Sequence, residues 1–145
     1  MKKVVFIISF FLLIYSFSQP IKVTFAQNII AQNNSNDQVI KNAFNQKISN
    51  IQVQNQGVVI KLLKDDLDGG KHQRFILKFN YGQTVLIAHN IDLAPRINNL
   101  KVGDIVSFYG EYEWNSQGGV VHWTHKDPQG KHPHGWLKHK GKTYQ

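Results

Sequence analysis

Histidine and tryptophan crowd one stretch of this 145-residue chain. Residues 110–142, GEYEWNSQGGVVHWTHKDPQGKHPHGWLKHKGK, hold all three tryptophans and five of the seven histidines. Imidazole is the side chain most often used for proton transfer and metal ligation near neutral pH, and indole is costly to leave in water unless it packs or stacks. His125 and Asp127, followed by His132-Pro133-His134, supply three imidazoles and a carboxylate, a donor set suited to Zn2+ or Mn2+. Loop histidines also simply stay solvated, and neither a cysteine nor a helical HExxH spacing accompanies these. His122 and His125 are three apart and point to opposite faces of a regular strand, so they share a metal only if the strand ends at Trp123.

Glu111 and Glu113 are two apart and share one face of a strand. A simple hairpin across 115–119 would add Trp123 and His125 to that face. Carboxylate, imidazole and indole together could bind a sugar or polarise a water, with Glu111, Glu113 or His125 as the acid–base group. The competing arrangement leaves the two glutamates on the solvated outside of the sheet beside Lys126 or Lys131. No serine or cysteine nucleophile arrangement is present, and Gly69-Gly70-Lys71 has too few glycines for a phosphate loop.

The elements that must position these groups follow from periodicity. Residues 51–63 alternate as one long strand with Gly57 as a bulge or bend, and Asp66 to Gly70 is a turn. His72 to Phe79 buries Phe75, Leu77 and Phe79 on one face, and a turn at 80–83 leads into a third strand, Thr84 to His89. A Pro-containing connection, 90–102, precedes a fourth strand, Ile105 to Trp114, and a fifth, Val120 to His125. The tail from Lys126 is expected to be irregular. This order predicts an all-β domain over residues 51–145, a five-stranded Greek-key barrel of the OB class. An SH3-like barrel or a split sandwich fits the same periodicity, because strand order is not written in it.

Ahead of the barrel, Val39, Ile40, Ala43, Phe44 and Ile48 recur at helical spacing. They predict a short amphipathic helix over 37–50, capped by Asn36 or Asp37. Residues 27–36 are rich in Asn and Gln and predict a disordered linker. Residues 1–26 have the layout of a secretory signal peptide: Lys2 and Lys3, an apolar run from Val4 to Phe17, then Pro20 and a small residue at Ala26. The run is short for a bilayer span, which needs about 20 residues. The expectation is therefore export, to the periplasm or beyond, with no stable membrane insertion after cleavage, as a monomer. The formal charge of +8 includes Lys2, Lys3 and Lys22, so the exported domain is only mildly basic. With no cysteine, it relies on burial alone for stability.

Several strings within this pattern are long and of low degeneracy: Lys64-Asp65-Asp66, His72-Gln73-Arg74-Phe75, HNIDLAPR from His89, GEYEWN from Gly110 and GGVVHWTHKDP from Gly118. On these, residues 57–145 resemble a bacterial family of small exported proteins known as domain of unknown function 3465. The resemblance implies no activity, substrate or catalytic residue.

Asn90 is placed for an Asx turn and Asp92 with Arg96 for an ion pair or cap, so HNIDLAPR reads as architectural. For function, two classes remain open. One is a binding module for a polar or anionic polymer, a nucleic-acid strand or a glycan, with contacts from Arg74, Lys78, Tyr81, Trp114 and Trp123. The acidic loop Asp65, Asp66 and Asp68 counts against a polyanion. The other is a metal-dependent hydrolase acting on phosphodiesters through His125, Asp127, His132 and His134, with Glu111 or Glu113 as base.

Overall fold

A computed structural model describes residues 25–145. The expected signal segment lies outside the described residues except for Phe25 and Ala26, which open helix α1, Phe25–Gln46. The helix runs through the residues expected to form a linker. No Gly or Pro interrupts it, and once Ile40 and Ala43 are buried each preceding residue adds a backbone bond without a new nucleation cost. Residues 25–32 are exposed throughout. Asp37, expected as a cap, sits inside the helix and accepts a hydrogen bond from Asn55 Nδ2 at 2.8 Å. The packing face is also narrower than the periodicity suggested, since Val39 is 45% exposed while Ile40 is fully enclosed. Among the described residues no helix is long and apolar enough to cross a membrane.

Seven strands follow: β1 Ile51–Leu62, β2 His72–Lys78, β3 Thr84–Asn90, β4 Ile105–Glu113, β5 Val120–His122, β6 Trp136–His139 and β7 Lys142–Tyr144. Strand β1 pairs with β4 along Ile51–Val58 and with β2 from Val58 to Leu62. It changes partner at Gly57, where a side-chain carbon would stand 3.0 Å from the Lys78 carbonyl and 3.1 Å from Leu77 Cβ. A side chain there would require the neighbouring strand to give way by a few tenths of an ångström. Strands β2 and β3 pair antiparallel, β3 and β5 parallel, and β5 and β4 antiparallel, so five strands close in the order β1-β2-β3-β5-β4-β1. That is an OB-like barrel, as the order of elements implied. Inward residues alternate along each strand and fill it with Val59, Phe75, Leu77, Ile87, Phe108 and Tyr112, and Ile40 of α1 packs against this core.

The tail is irregular only as far as Gly135 and then adds two strands. Strand β6 continues the edge of β4 beyond β5, with Val106 opposite His139, and β7 pairs with β6. Asp104 fastens this addition: Lys140 Nζ lies 3.0 Å from it and His139 Nε2 2.9 Å. The Lys140 hydrogen bond, with that of His139, holds the Asp104 carboxyl down at about 2, against the effect of burial.

The connection 90–102 is held by two buried polar residues. Gln73 grips the backbone of Ile97 twice, Nε2 donating to its carbonyl at 3.0 Å and Oε1 accepting from its amide at 2.8 Å. His89, fully enclosed, lies 2.8 Å from the Thr124 hydroxyl through Nδ1 and 3.2 Å from the Pro95 carbonyl through Nε2. A carbonyl can only accept, so the proton sits on Nε2 and Nδ1 accepts from Thr124. Asn90 forms the expected Asx turn, accepting from the amides of Asp92 and Leu93. The expected Asp92–Arg96 pair is replaced by two longer-range ones. Arg96 forks onto Asp65, at 2.9 and 3.3 Å, and Asp92 accepts from the Lys71 amide at 2.7 Å. Local spacing cannot show such choices, because the loop after β1 folds back to meet this segment.

Burial lowers the His89 pKa to about 4, outweighing its bonds to Pro95 and Thr124. The unfolded chain therefore takes up this proton first as pH falls. The contribution of His89 is complete above about pH 6.5, drains away towards pH 4, and is on the order of 3 kcal/mol. We expect His89→Leu to be less stable than wild type in urea unfolding at pH 7.5, with the gap narrowing as the pH is lowered to 4. A gap independent of pH would contradict a neutral buried imidazole.

Candidate functional site

Alternation along β4 turns Ser107, Tyr109, Glu111 and Glu113 away from the core. On β5, His122 lies opposite Glu111, and Val120 opposite Glu113. The expectation that Trp123 and His125 would share this face was one residue out of register, and a slip of one exchanges the two faces of a strand. The displacement has a visible cause. Trp114 leaves the ladder before the turn, its amide donating to Ser49 Oγ at 2.8 Å and its indole to the Phe44 carbonyl at 3.0 Å. The turn therefore holds one residue more than a hairpin over 115–119 would. Trp114, expected to contact ligand, instead docks the end of α1.

Strand β5 ends at His122, and Trp123 adopts a positive φ of 53°, which turns the chain off the barrel. The loop 123–135 returns to start β6, with Trp136 opposite Tyr109. Its base is pinched so tightly that a side-chain carbon at Gly135 would strike the backbones of Trp123 and Tyr109, and one at Gly110 the carbonyl of His122. Asp127 shapes the interior of the loop. Its carboxylate accepts from the amides of Gln129 at 3.0 Å, Lys131 at 2.6 Å and His132 at 2.8 Å. These bonds, that of Gln129 foremost, hold its pKa below the usual carboxylate range.

The result is to throw His132 back over the barrel. Its Nε2 lies 2.7 Å from Glu111 Oε2, and its ring stacks on Trp123 at 4.1 Å and 13°. Beside it, His122 Nε2 is enclosed and has no hydrogen-bond partner, with Glu111 Oε1 at 3.5 Å and Glu113 Oε1 at 3.8 Å. Burial lowers the His122 pKa despite the two carboxylates that work the other way. For His132 burial also opposes the charge, but the Glu111 hydrogen bond, the Pro133 carbonyl and the Asp127 charge prevail and raise it. Two imidazoles shifted in opposite directions thus meet at Glu111. On the other side of Glu111, Gln52 of β1 is its ladder partner, and both atoms of the Gln52 amide are enclosed and unbonded.

Of the expected metal ligands only His132 reaches this cluster. Asp127 spends its carboxylate on loop amides, and His134 Nδ1 accepts from the Asp127 amide at 3.0 Å. His125 is buried, with Nδ1 2.8 Å from the Lys126 carbonyl, and its ring lies 5.3 Å from that of Trp123. The four residues therefore do not present a common set of lone pairs. In the sequence His122 stood out only through its spacing from His125, and its place opposite Glu111 becomes legible only once the register is known.

The expected ligand contacts are dispersed as well. Arg74 donates to the Lys64 carbonyl, at 3.0 and 3.2 Å, and sits 3.7 Å from Asp66. Lys78 is exposed at the end of β2. Tyr81 stacks on Phe79 at 5.5 Å and its hydroxyl is enclosed, which, through burial first, pushes its pKa up. Tyr81 borders two hollows, of about 460 and 400 Å³, and Trp123 opens onto another. That pocket, of about 490 Å³, is lined by Leu93, Trp123, Asp127, Pro128, Gln129, Lys131 and His132, and its walls are mostly apolar.

Residues 22–145 match the family described as protein of unknown function (DUF3465), and the chain belongs to it. No curated protein matches the chain significantly.

The pinched base makes the loop sensitive to a single methyl group. Gly135→Ala should cost more than about 2 kcal/mol and abolish the near-ultraviolet circular dichroism of the Trp123–His132 stack. Gly130→Ala is the control. Its φ is 65° but nothing stands within 4 Å, so only the backbone cost of about 1 kcal/mol applies. Equal effects in urea unfolding would show that the base of the loop is not tightly packed.

Proposed function

We propose that the chain is a small exported binding module whose ligand is a glycan, seated in the pocket between Trp123 and Leu93. The observation that carries this reading is the pairing of surfaces in one hollow. Trp123, Leu93 and Pro128 supply apolar wall, while Lys131, Gln129 and His132 supply polar groups beside it. A sugar ring has the complementary division, with C–H faces that pack on indole and hydroxyl edges that hydrogen-bond.

A nucleic-acid strand is the weaker candidate. An OB barrel binds one by stacking bases on aromatic side chains beside a basic groove. Here Arg74 and Arg96 are engaged by Asp66 and Asp65, and Trp114 is committed to α1. Phosphates approaching the Trp123 pocket would also meet the Asp127 carboxylate in its lining. The hydrolase alternative lost the ligand set it was built on when Asp127 and His134 turned to the loop backbone.

Calorimetric titration with soluble cell-wall glycan fragments and with single-stranded DNA separates these readings. The expected result is saturable glycan binding that varies little with salt and weakens at least about tenfold, 1.4 kcal/mol, in Trp123→Ala. DNA binding that falls steeply with salt, without any glycan response, would replace the proposal with a polyanion module.

A further inference from the structure

The geometry points to a divalent-metal site of the Zn2+ class, formed by Nε2 of His122 and the carboxylates of Glu111 and Glu113, with His132 of the 123–135 loop hydrogen-bonded to Glu111 beside it. It does not rest on the glycan reading: its ligands lie outside the pocket lining, and only His132, which supports Glu111, belongs to both.

Separation is the first argument. Ligand atoms bound at 2.0–2.1 Å around a tetrahedral Zn2+ lie roughly 3.3–3.4 Å from one another. His122 Nε2 is 3.5 Å from Glu111 Oε1 and 3.8 Å from Glu113 Oε1. Those three atoms all fall within 4.8 Å of one another. These distances are long for hydrogen bonds but close to those of ligands sharing an ion.

The second argument is an unsatisfied atom. Enclosed polar atoms in folded proteins nearly always have a partner, and His122 Nε2, aimed at two carboxylates, has none. His132 supplies a third argument. Its Nδ1 lies 2.9 Å from the Pro133 carbonyl, which can only accept, so Nδ1 carries a proton. Its Nε2 lies 2.7 Å from Glu111 Oε2, a hydrogen-bond distance shorter than two ligands of one ion keep. Carboxylates that ligate metals are held in this way by groups outside the coordination shell, so His132 orients Glu111 rather than binding the ion.

The donor chemistry narrows the ion. An imidazole with two carboxylates and no sulfur suits Zn2+ better than the soft Cu+, and the imidazole favours it over the oxygen-seeking Mg2+ and Ca2+. Three protein donors leave the fourth position of a tetrahedron open. All three come from β4 and β5, and the Glu111–His132 hydrogen bond ties the loop to one of them.

The test uses protein without a histidine tag, stripped with chelator and titrated with Zn2+ and Co2+. We expect one Zn2+ per chain, a rise in thermal midpoint on binding, and the intense visible bands of tetrahedral Co2+. His122→Ala and Glu113→Gln should each weaken Zn2+ binding at least tenfold, whereas His134→Ala, on the exposed part of the same loop, should leave it unchanged. Binding that survives His122→Ala, or disappears in His134→Ala, would mark an adventitious site in the histidine-rich segment and overturn the assignment. So would the absence of stoichiometric uptake, or the weak spectrum of octahedral Co2+ in the wild type, neither of which depends on a variant folding.

Discussion

Strand β4 is hydrogen-bonded along both edges, to β1 on one side and to β5 and then β6 on the other. That double use governs most of what is distinctive in the molecule. Because β5 and β6 occupy successive stretches of the same edge, the residues between them must leave the sheet and return to it almost at the point of departure. The loop 123–135 is the consequence. Its ends can close only where no side chain intervenes, which is the physical role of Gly110 and Gly135. The loop in turn is what brings an imidazole, an indole and a pocket wall to a barrel face that otherwise offers two glutamates and one histidine.

Buried polar groups divide into two kinds here. Gln73, His89 and Asp127 are fully engaged, each holding a segment of irregular backbone whose own amides and carbonyls would otherwise lack partners. They explain why runs such as HNIDLAPR read as architecture: breaking one of these contacts would leave a desolvated group unpaired, at a cost of about 1–3 kcal/mol. His122 and Gln52 are the other kind, enclosed but without partners, and they flank Glu111 on either side in the sheet. Among the described residues the Tyr81 hydroxyl is the fourth such atom, so three of the four enclosed, unpartnered side-chain atoms gather beside Glu111 on the outer face of β4.

Much of the framework was legible in the sequence. Period-two alternation located the five barrel strands to within a few residues, and Gly57 marked the bend at which β1 changes partner. The helix was legible only at Ile40 and Ala43, where it is buried. Its exposed turns carry no periodic signal, since nothing there packs. The tail failed for a related reason: β6 and β7 are short, and Trp136, Lys138 and His139 form a strand because an edge of β4 is free to receive them, which their own pattern does not announce.

The residue types at the site were determined by the sequence alone, and so was their crowding into one stretch, because composition and local alternation act over a few neighbouring positions. Which of them meet was decided by the tertiary structure. Trp114 was drawn out of the ladder by Ser49 and Phe44, residues far back in the chain, and the register of β5 shifted by one as a result. That shift exchanged Trp123 and His125 for His122 beside Glu111. Asp127 then chose loop amides over a ligand, and in doing so carried His132 across to complete the cluster. Each step is a competition between contacts distant in sequence, and its outcome depends on geometry that exists only once the barrel has closed.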